Sequence, residues 1–285
     1  MREALLDLLQ APPIPGGPVT PTGEGLRLHA FTWEGDQIEE GALAAADGRW
    51  WWIAAGVPRI LPSTLYRNPE MEARFGSRLR EIGLAPIERA PKAGRSLEAR
   101  TIDRFGAEWI RFRDWGHLRD LPAGADPLEW QGGLWENTLS AFRSKTFLAE
   151  HVGGERVLDA GCGNGRFIAA SLHFGAREVI GVDLGWGADM AYQRFRDDPR
   201  VHVLQASLFE LPLGTVDVAF SLGVLMHTGD AQRALRSVAA RVRPGGMFAA
   251  RMYHRGNWAY EMTDSAIRAV TTRLPRGAQL AFARG

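Results

Sequence analysis

Through the second half of the chain, short apolar runs alternate with stretches whose apolar residues recur every three or four positions. Val157 and Leu158 belong to the first run, Glu178 to Leu184 is the second, and Val201 to Leu204 the third. A fourth starts at Val216, and a fifth spans Met247 to Tyr253. Between the first two runs, Arg166 to Phe174 has helical spacing and stops at Gly175, a helix C-terminal glycine. Leu235, Val238, Ala239 and Val242 make one stripe of a later helix, which Asp230 caps. Pro244, Gly245 and Gly246 then turn the chain into the fifth run. Strand patterns separated by helical ones predict an α/β fold with a mainly parallel sheet covered on both faces.

The N-terminal part follows another pattern. Met1 to Gln10 is apolar in patches broken by Glu3 and Asp7, which predicts a short amphipathic helix and lacks the long uncharged core of a signal peptide. Proline and glycine crowd Pro12 to Pro21, so residues 1–23 read as a helix and linker. Residues 24–62 predict a small β unit carrying Trp50, Trp51 and Trp52 on one strand. Alternation puts Trp50 and Trp52 on one side and Trp51 on the other. The three indoles are expected to pack this unit against its own core and against the cofactor domain; a substrate-binding aromatic patch is the rival. Residues 63–150 predict a helical connector, with a loop from Leu118 to Pro127 and an amphipathic helix from Leu134 to Val152. Phe105, Trp109, Phe112 and Trp115 form one helical stripe within it. Residues 151–285 would be the cofactor domain.

Directly after the first strand, Asp159, Gly161, Gly163 and Gly165 stand at two-residue intervals. Glycine there permits positive φ and a close approach of backbone to ligand. A dinucleotide-binding turn would place its third glycine where Arg166 stands, which makes a nicotinamide-dependent oxidoreductase the weaker reading. The spacing resembles motif I of the class I S-adenosylmethionine (SAM) methyltransferases, and the likeness extends from about residue 150 to 255. It implies a doubly wound, Rossmann-like sheet of order 3-2-1-4-5. It also implies that Asp159, Gly161, Cys162, Gly163, Asn164 and Gly165 hold the amino-acid end of SAM. Asp183 and Leu184 would meet the ribose, Ser207 and Leu208 the adenine, and Ser221 would lie at the end of the fourth strand.

Ser207 departs from the family, which usually offers an acid to the adenine amino group there. Only about thirty residues follow the fifth strand, too few for the antiparallel hairpin of the family's sheet, which favours a truncated chain over a shortened sheet. Gly41 to Leu43, Asp47 to Ile53 and Gly56 to Pro62 resemble the zinc-ribbon-like activator of tRNA and translation-factor methyltransferases. That domain's metal-binding cysteine pairs are missing, and a domain below about 40 residues usually needs a metal, a disulfide or a neighbour. Phe105 to Phe112 resembles a lid over SAM in related enzymes, which would bring Arg111 or Arg113 to the cofactor carboxylate or an acidic substrate.

Methyl transfer is an in-line displacement, so an enzyme chiefly positions the reactants and excludes water. An amine or hydroxyl acceptor must also lose a proton, and His227, just past the fourth strand, is the candidate base; a structural turn is the alternative. Tyr253 and His254 rank below it.

Net charge of +1 recommends no partner, although ten arginines against Glu261 and Asp264 make the C-terminal stretch basic. The single cysteine, Cys162, precludes an intrachain disulfide or a cysteine-rich zinc site and fits a reducing cytoplasm. No metal spacing and no apolar run of membrane-spanning length occurs. The expectation is a cytoplasmic SAM-dependent methyltransferase acting on an unidentified N, O or C nucleophile. A small-molecule substrate is preferred, with nucleic acid and protein acceptors left open. A non-catalytic partner or regulatory module with the same fold is the alternative.

Overall fold

The computed structural model describes residues 1–14, 17–62, 64–85, 96–111, 113–117 and 135–252, with only the backbone of 104 and 107–111. The chain divides into a unit Met1–Arg251 and a second, Met252–Gly285, and the first carries all the elements below. Trp109, Phe112, the 118–127 loop, Tyr253, His254 and the stretch where a final hairpin was in question lie outside the described residues or side chains.

A nine-stranded sheet runs in the order β1-β2-β3-β4-β7-β6-β5-β8-β9. Its cofactor half comprises β5 (Arg156–Ala160), β6 (Glu178–Asp183), β7 (Val201–Ala206), β8 (Val216–Leu222) and β9 (Val242–Arg251). In chain order these are the five expected strands, arranged 3-2-1-4-5 and all parallel. Helices α4 (Arg166–His173), α5 (Gly187–Phe195) and α6 (Ala231–Ala239) connect them. The central strands read as apolar runs because both faces are covered: Leu158, Ile180 and Leu204 pack on one side, Val157, Val179 and Val203 on the other. Gly175, with φ +85°, follows α4, and Asp230 caps α6 by accepting from the Arg233 N–H at 2.9 Å.

Two boundaries move. The third strand continues to Ala206, and β9 begins at Val242, with a register irregularity before Met247, so Val242 belongs to the strand and not to the helical stripe. Pro244-Gly245-Gly246 fall in that irregularity, without partners on β8 and with Gly245 at φ +78°, so their turn chemistry is accommodated as a bulge inside the strand.

The N-terminal strands β1 (Arg27–Glu34), β2 (Gln37–Ala44), β3 (Trp50–Ala54) and β4 (Val57–Ile60) form an antiparallel meander. Ala55 and Gly56, both at positive φ, make the two-residue turn between β3 and β4. Strand β4 then pairs parallel with β7, Arg59 opposite Gln205 and Ile60 opposite Ala206, so the meander continues the cofactor sheet. Arg59 Nη1 and Nη2 donate to the Asp189 carboxylate on α5 at 2.9 and 2.6 Å, and Nη1 also reaches Gln205 Oε1. Trp50 and Trp52 pack with Met71, Leu79 and Leu84 while Trp51 joins the main core, the alternation expected of a strand. All three are buried, which favours packing over an exposed substrate patch.

The opening helix is a short 3-10 segment, Glu3–Leu8, that inserts Leu5, with Leu9 just beyond it, into the main core. The connector contains α1 (Pro69–Glu81), α2 (Leu97–Arg111) and α3 (Trp135–Ser140). The single helix expected up to Val152 is broken: α3 passes into a π-helical turn at Ala141–Lys145, and Phe147 takes φ +57° before another short turn. Burial of Phe142 and Leu148 outweighs helical continuity there.

Candidate functional site

The loop after β5 is built by its glycines. Gly161, Gly163 and Gly165 have φ of +94°, +52° and +82°, conformations that side chains resist. A Cβ on Gly161 would lie 2.5 Å from the Val224 side chain, and one on Gly187 2.8 Å from the Gly163 Cα, so the loop meets the backbone of α5 and is covered by Val224 beyond β8. From β6, Asp183 Oδ2 accepts the Gly163 N–H at 2.9 Å and Oδ1 the Gly185 N–H at 2.8 Å. Each carboxylate oxygen keeps a further lone pair.

These groups border a cavity of about 110 Å³ at the carboxyl ends of the strands. Of the residues expected from sequence, Gly161, Asp183, Leu184, Ser207, Leu208 and His227 line it. His227 is exposed at its rim, in the turn Leu225–His227, with its ring centroid 4.9 Å from that of Phe105.

Other expected residues shape the site from behind. Asp159 is buried, and its Oδ2 has no hydrogen-bond partner among the described residues. Burial and then the charge of Asp183 push its carboxyl up to about 8. Asp183 is also raised, chiefly by burial, against the pull of its backbone N–H donors. Cys162 is buried, and burial pushes its thiol up, which makes it a packing residue and not a nucleophile. Asn164 is spent on the protein: Nδ2 donates to the Trp115 carbonyl at 2.9 Å, and its backbone carbonyl faces His117 Nε2 at 3.0 Å. Desolvation lowers His117 to about 4, so it is neutral in this contact. Ser221 Oγ donates to the Ala160 carbonyl at 2.7 Å, tying β8 to β5. Arg113 has an exposed side chain 3.6 Å from Asp114, while its carbonyl accepts from Arg194.

The other wall is α2, and most of its contribution was missed in the sequence. Glu98, Thr101, Ile102 and Phe105 line the cavity, at the i, i+3, i+4, i+7 spacing of one helical face. That spacing was the available signal, but only Phe105 was noticed. The helix packs closely at Gly106, where a Cβ would lie 2.3 Å from Trp186, and its Ile102 backbone stands in ordinary contact distance of Gly185. Glu98 Oε1 accepts from Ser207 Oγ at 2.9 Å.

Residues 158–250 match the family model of a methyltransferase domain. Among curated relatives, the tRNA U34 carboxymethyltransferase of Geobacter sp. (strain M21) is 37% identical over 124 residues, 41% of this chain and 36% of that protein. The tRNA U34 carboxymethyltransferase of Pseudoalteromonas atlantica is 36% identical over 94 residues, 32% of this chain and 29% of that protein. The chain thus spans about a third of the length of these relatives. A solved S-adenosylmethionine dependent methyltransferase from Mesorhizobium loti is 34% identical, covering 34% of this chain and 46% of that one, with a TM-score of 0.32. The chain carries a class I SAM-dependent methyltransferase domain. SAM is the cofactor of that class, and the site suits it: a glycine cradle, a carboxylate with lone pairs to spare at the β6 end and a buried Asp159 oxygen unpartnered among the described residues.

Proposed function

We propose that this chain is a SAM-dependent methyltransferase whose acceptor is a nucleic acid of the tRNA type, in place of the small molecule anticipated from sequence. The observation that carries methyl transfer is Asp183, held by the backbone of Gly163 and Gly185 at the edge of the strand-end cavity. Support for the acceptor comes from the name shared by the curated relatives over the cofactor half, tRNA U34 carboxymethyltransferase.

In this reading Asp183 accepts the ribose hydroxyls, the Gly161–Gly165 loop holds the methionine end, and Leu208 walls the adenine. When bound, SAM supplies an electrophilic methyl group on a sulfonium. Ile102 and Phe105 exclude water from the α2 side. His227 takes the acceptor's proton on a ring nitrogen, with Phe105 supporting its ring plane.

Calorimetric titration with S-adenosylhomocysteine tests the cofactor site. Removing a carboxylate that takes two charge-assisted hydrogen bonds costs about 2–4 kcal/mol, so Asp183→Ala is expected to weaken binding at least thirtyfold. An effect within threefold overturns the assignment. Transfer of labelled methyl from SAM to total tRNA, beside pools of small metabolites and proteins, tests the acceptor; label confined to metabolites or proteins refutes the tRNA reading. His227→Ala is expected to lower turnover about a hundredfold with S-adenosylhomocysteine affinity unchanged. Unchanged turnover removes the base.

A further inference from the structure

We propose that Glu98, on α2, is the acidic acceptor for the exocyclic amino group of the cofactor adenine, replacing an acid on the loop after β7. The inference rests on the cofactor reading above and adds a specificity residue from outside the matched domain, since Glu98 precedes residues 158–250.

Four observations converge on it. Ser207, where an acid was expected, is buried, and its hydroxyl proton is committed to Glu98 Oε1 at 2.9 Å. The serine Oγ itself accepts the Phe209 backbone N–H at 3.3 Å, which aims the hydroxyl proton at the helix. Glu98 therefore brings its carboxylate to the place vacated by the missing acid, beside the apolar wall of Leu208. Second, Glu98 lines the cavity, and the one hydrogen bond to its carboxylate among the described residues falls on Oε1, so the carboxylate has acceptor capacity beyond Ser207.

Third, the neighbouring acid cannot take the role. Glu210 accepts from Arg233 Nη2 at 2.7 Å and does not line the cavity, whereas Glu98 does. Fourth, the site of Glu98 is fixed by the docking of its helix: Leu97 presses on Gly229, where a Cβ would lie 2.2 Å away, and Ile102 stands in ordinary contact distance of Gly185. The other carboxylate on the cavity, Asp183, is committed to the ribose side. A carboxylate accepts from an amino group and has no proton for a keto oxygen, so Glu98 would select adenine over a 6-oxo purine.

The experiment is calorimetry of the full chain with S-adenosylhomocysteine and S-inosylhomocysteine, in which the 6-amino group is a keto oxygen. The unmodified protein is expected to prefer the adenosyl compound at least thirtyfold. Glu98→Gln, whose amide can donate to a keto oxygen, is expected to cut that preference about tenfold. Adding Ser207→Asp to Glu98→Gln is expected to restore it, and urea midpoints check that each variant is folded. A preference that Glu98→Gln leaves within twofold overturns the assignment of Glu98 while S-adenosylhomocysteine binding sustains the cofactor site. Absence of binding by the unmodified protein overturns both. If Glu98→Gln does not fold, Ser207→Asp alone decides: a second acid at this point is expected to lower the urea midpoint and keep the preference, and a loss of preference refutes the proposal.

Discussion

Strands β5–β9 and β1–β4 share one sheet but hold it together differently. The first group is parallel, with crossover helices in three of its four connections and a loop between β7 and β8, and its core is aliphatic on one face and mixes aliphatic residues with Phe142, Phe167 and Phe220 on the other. The second is an antiparallel meander whose core on one face is Trp50 and Trp52 against α1, Leu84 and three alanines. No group of three or more His, Cys, Asp or Glu side chains among the described residues is placed to hold a metal ion. The meander takes its second support from the cofactor half: β4 zips onto β7, Arg59 grips Asp189 and Gln205, and Gln205 Nε2 donates to the Leu184 carbonyl at the cavity. A small β unit can thus be stabilised by becoming part of a larger sheet, and it then sits two hydrogen bonds from the cofactor site.

The comparison breaks most directly at the indole. Trp52→Ala removes a fully buried side chain and is expected to cost about 4 kcal/mol, read as a drop in the urea midpoint. If the halves are one cooperative structure, fluorescence and far-UV circular dichroism will lose signal together; separate transitions would show an independently folding meander. Next comes Arg59→Ala, which leaves Asp189 half-buried without its cation and is expected to cost about 3 kcal/mol. Hydrogen exchange should show protection lost on both β4 and β7, and loss on β4 alone would deny the coupling.

A pH-dependent effect sharpens the contrast from the cofactor side. The raised carboxyl of Asp159 means that the ligand-free folded protein binds a proton which the unfolded chain has released between about pH 4 and 8. Its stability contribution is therefore present below the unfolded value and is lost as pH rises through about 8. Asp159→Asn carries no such proton. It is expected to match the parent near pH 4 and to exceed it by a margin that grows towards pH 8, measured by urea titration. A constant difference across that range would show that Asp159 is ionised in the fold. The same change should weaken S-adenosylhomocysteine, so stability and binding move in opposite directions.

The parallel strands were legible because burial on both faces leaves uninterrupted apolar runs, and α4 because a glycine ends it. The alternation of Trp50, Trp51 and Trp52 was equally legible from period two. The connector was less so. The break at Phe147 arises from side chains that reach the core only if the helix stops, which local spacing cannot register. At the site, Gly161, Asp183 and Leu208 line the cavity at the strand ends, whereas Asn164 and Ser221 make hydrogen bonds to the Trp115 and Ala160 carbonyls, partners that become visible only in three dimensions.

By itself the sequence determined the glycine loop, the succession of strand and helix patterns and the acid at the end of β6, since each depends on backbone freedom or on periodicity within a few residues, while the 3-2-1-4-5 order followed only from the family resemblance. Only the tertiary structure decided that the meander joins the sheet at β7 and that α2 lays Glu98 against Ser207. Those are pairings between segments a hundred or more residues apart, and their partners are selected by shape and by hydrogen bonds that have no local signature.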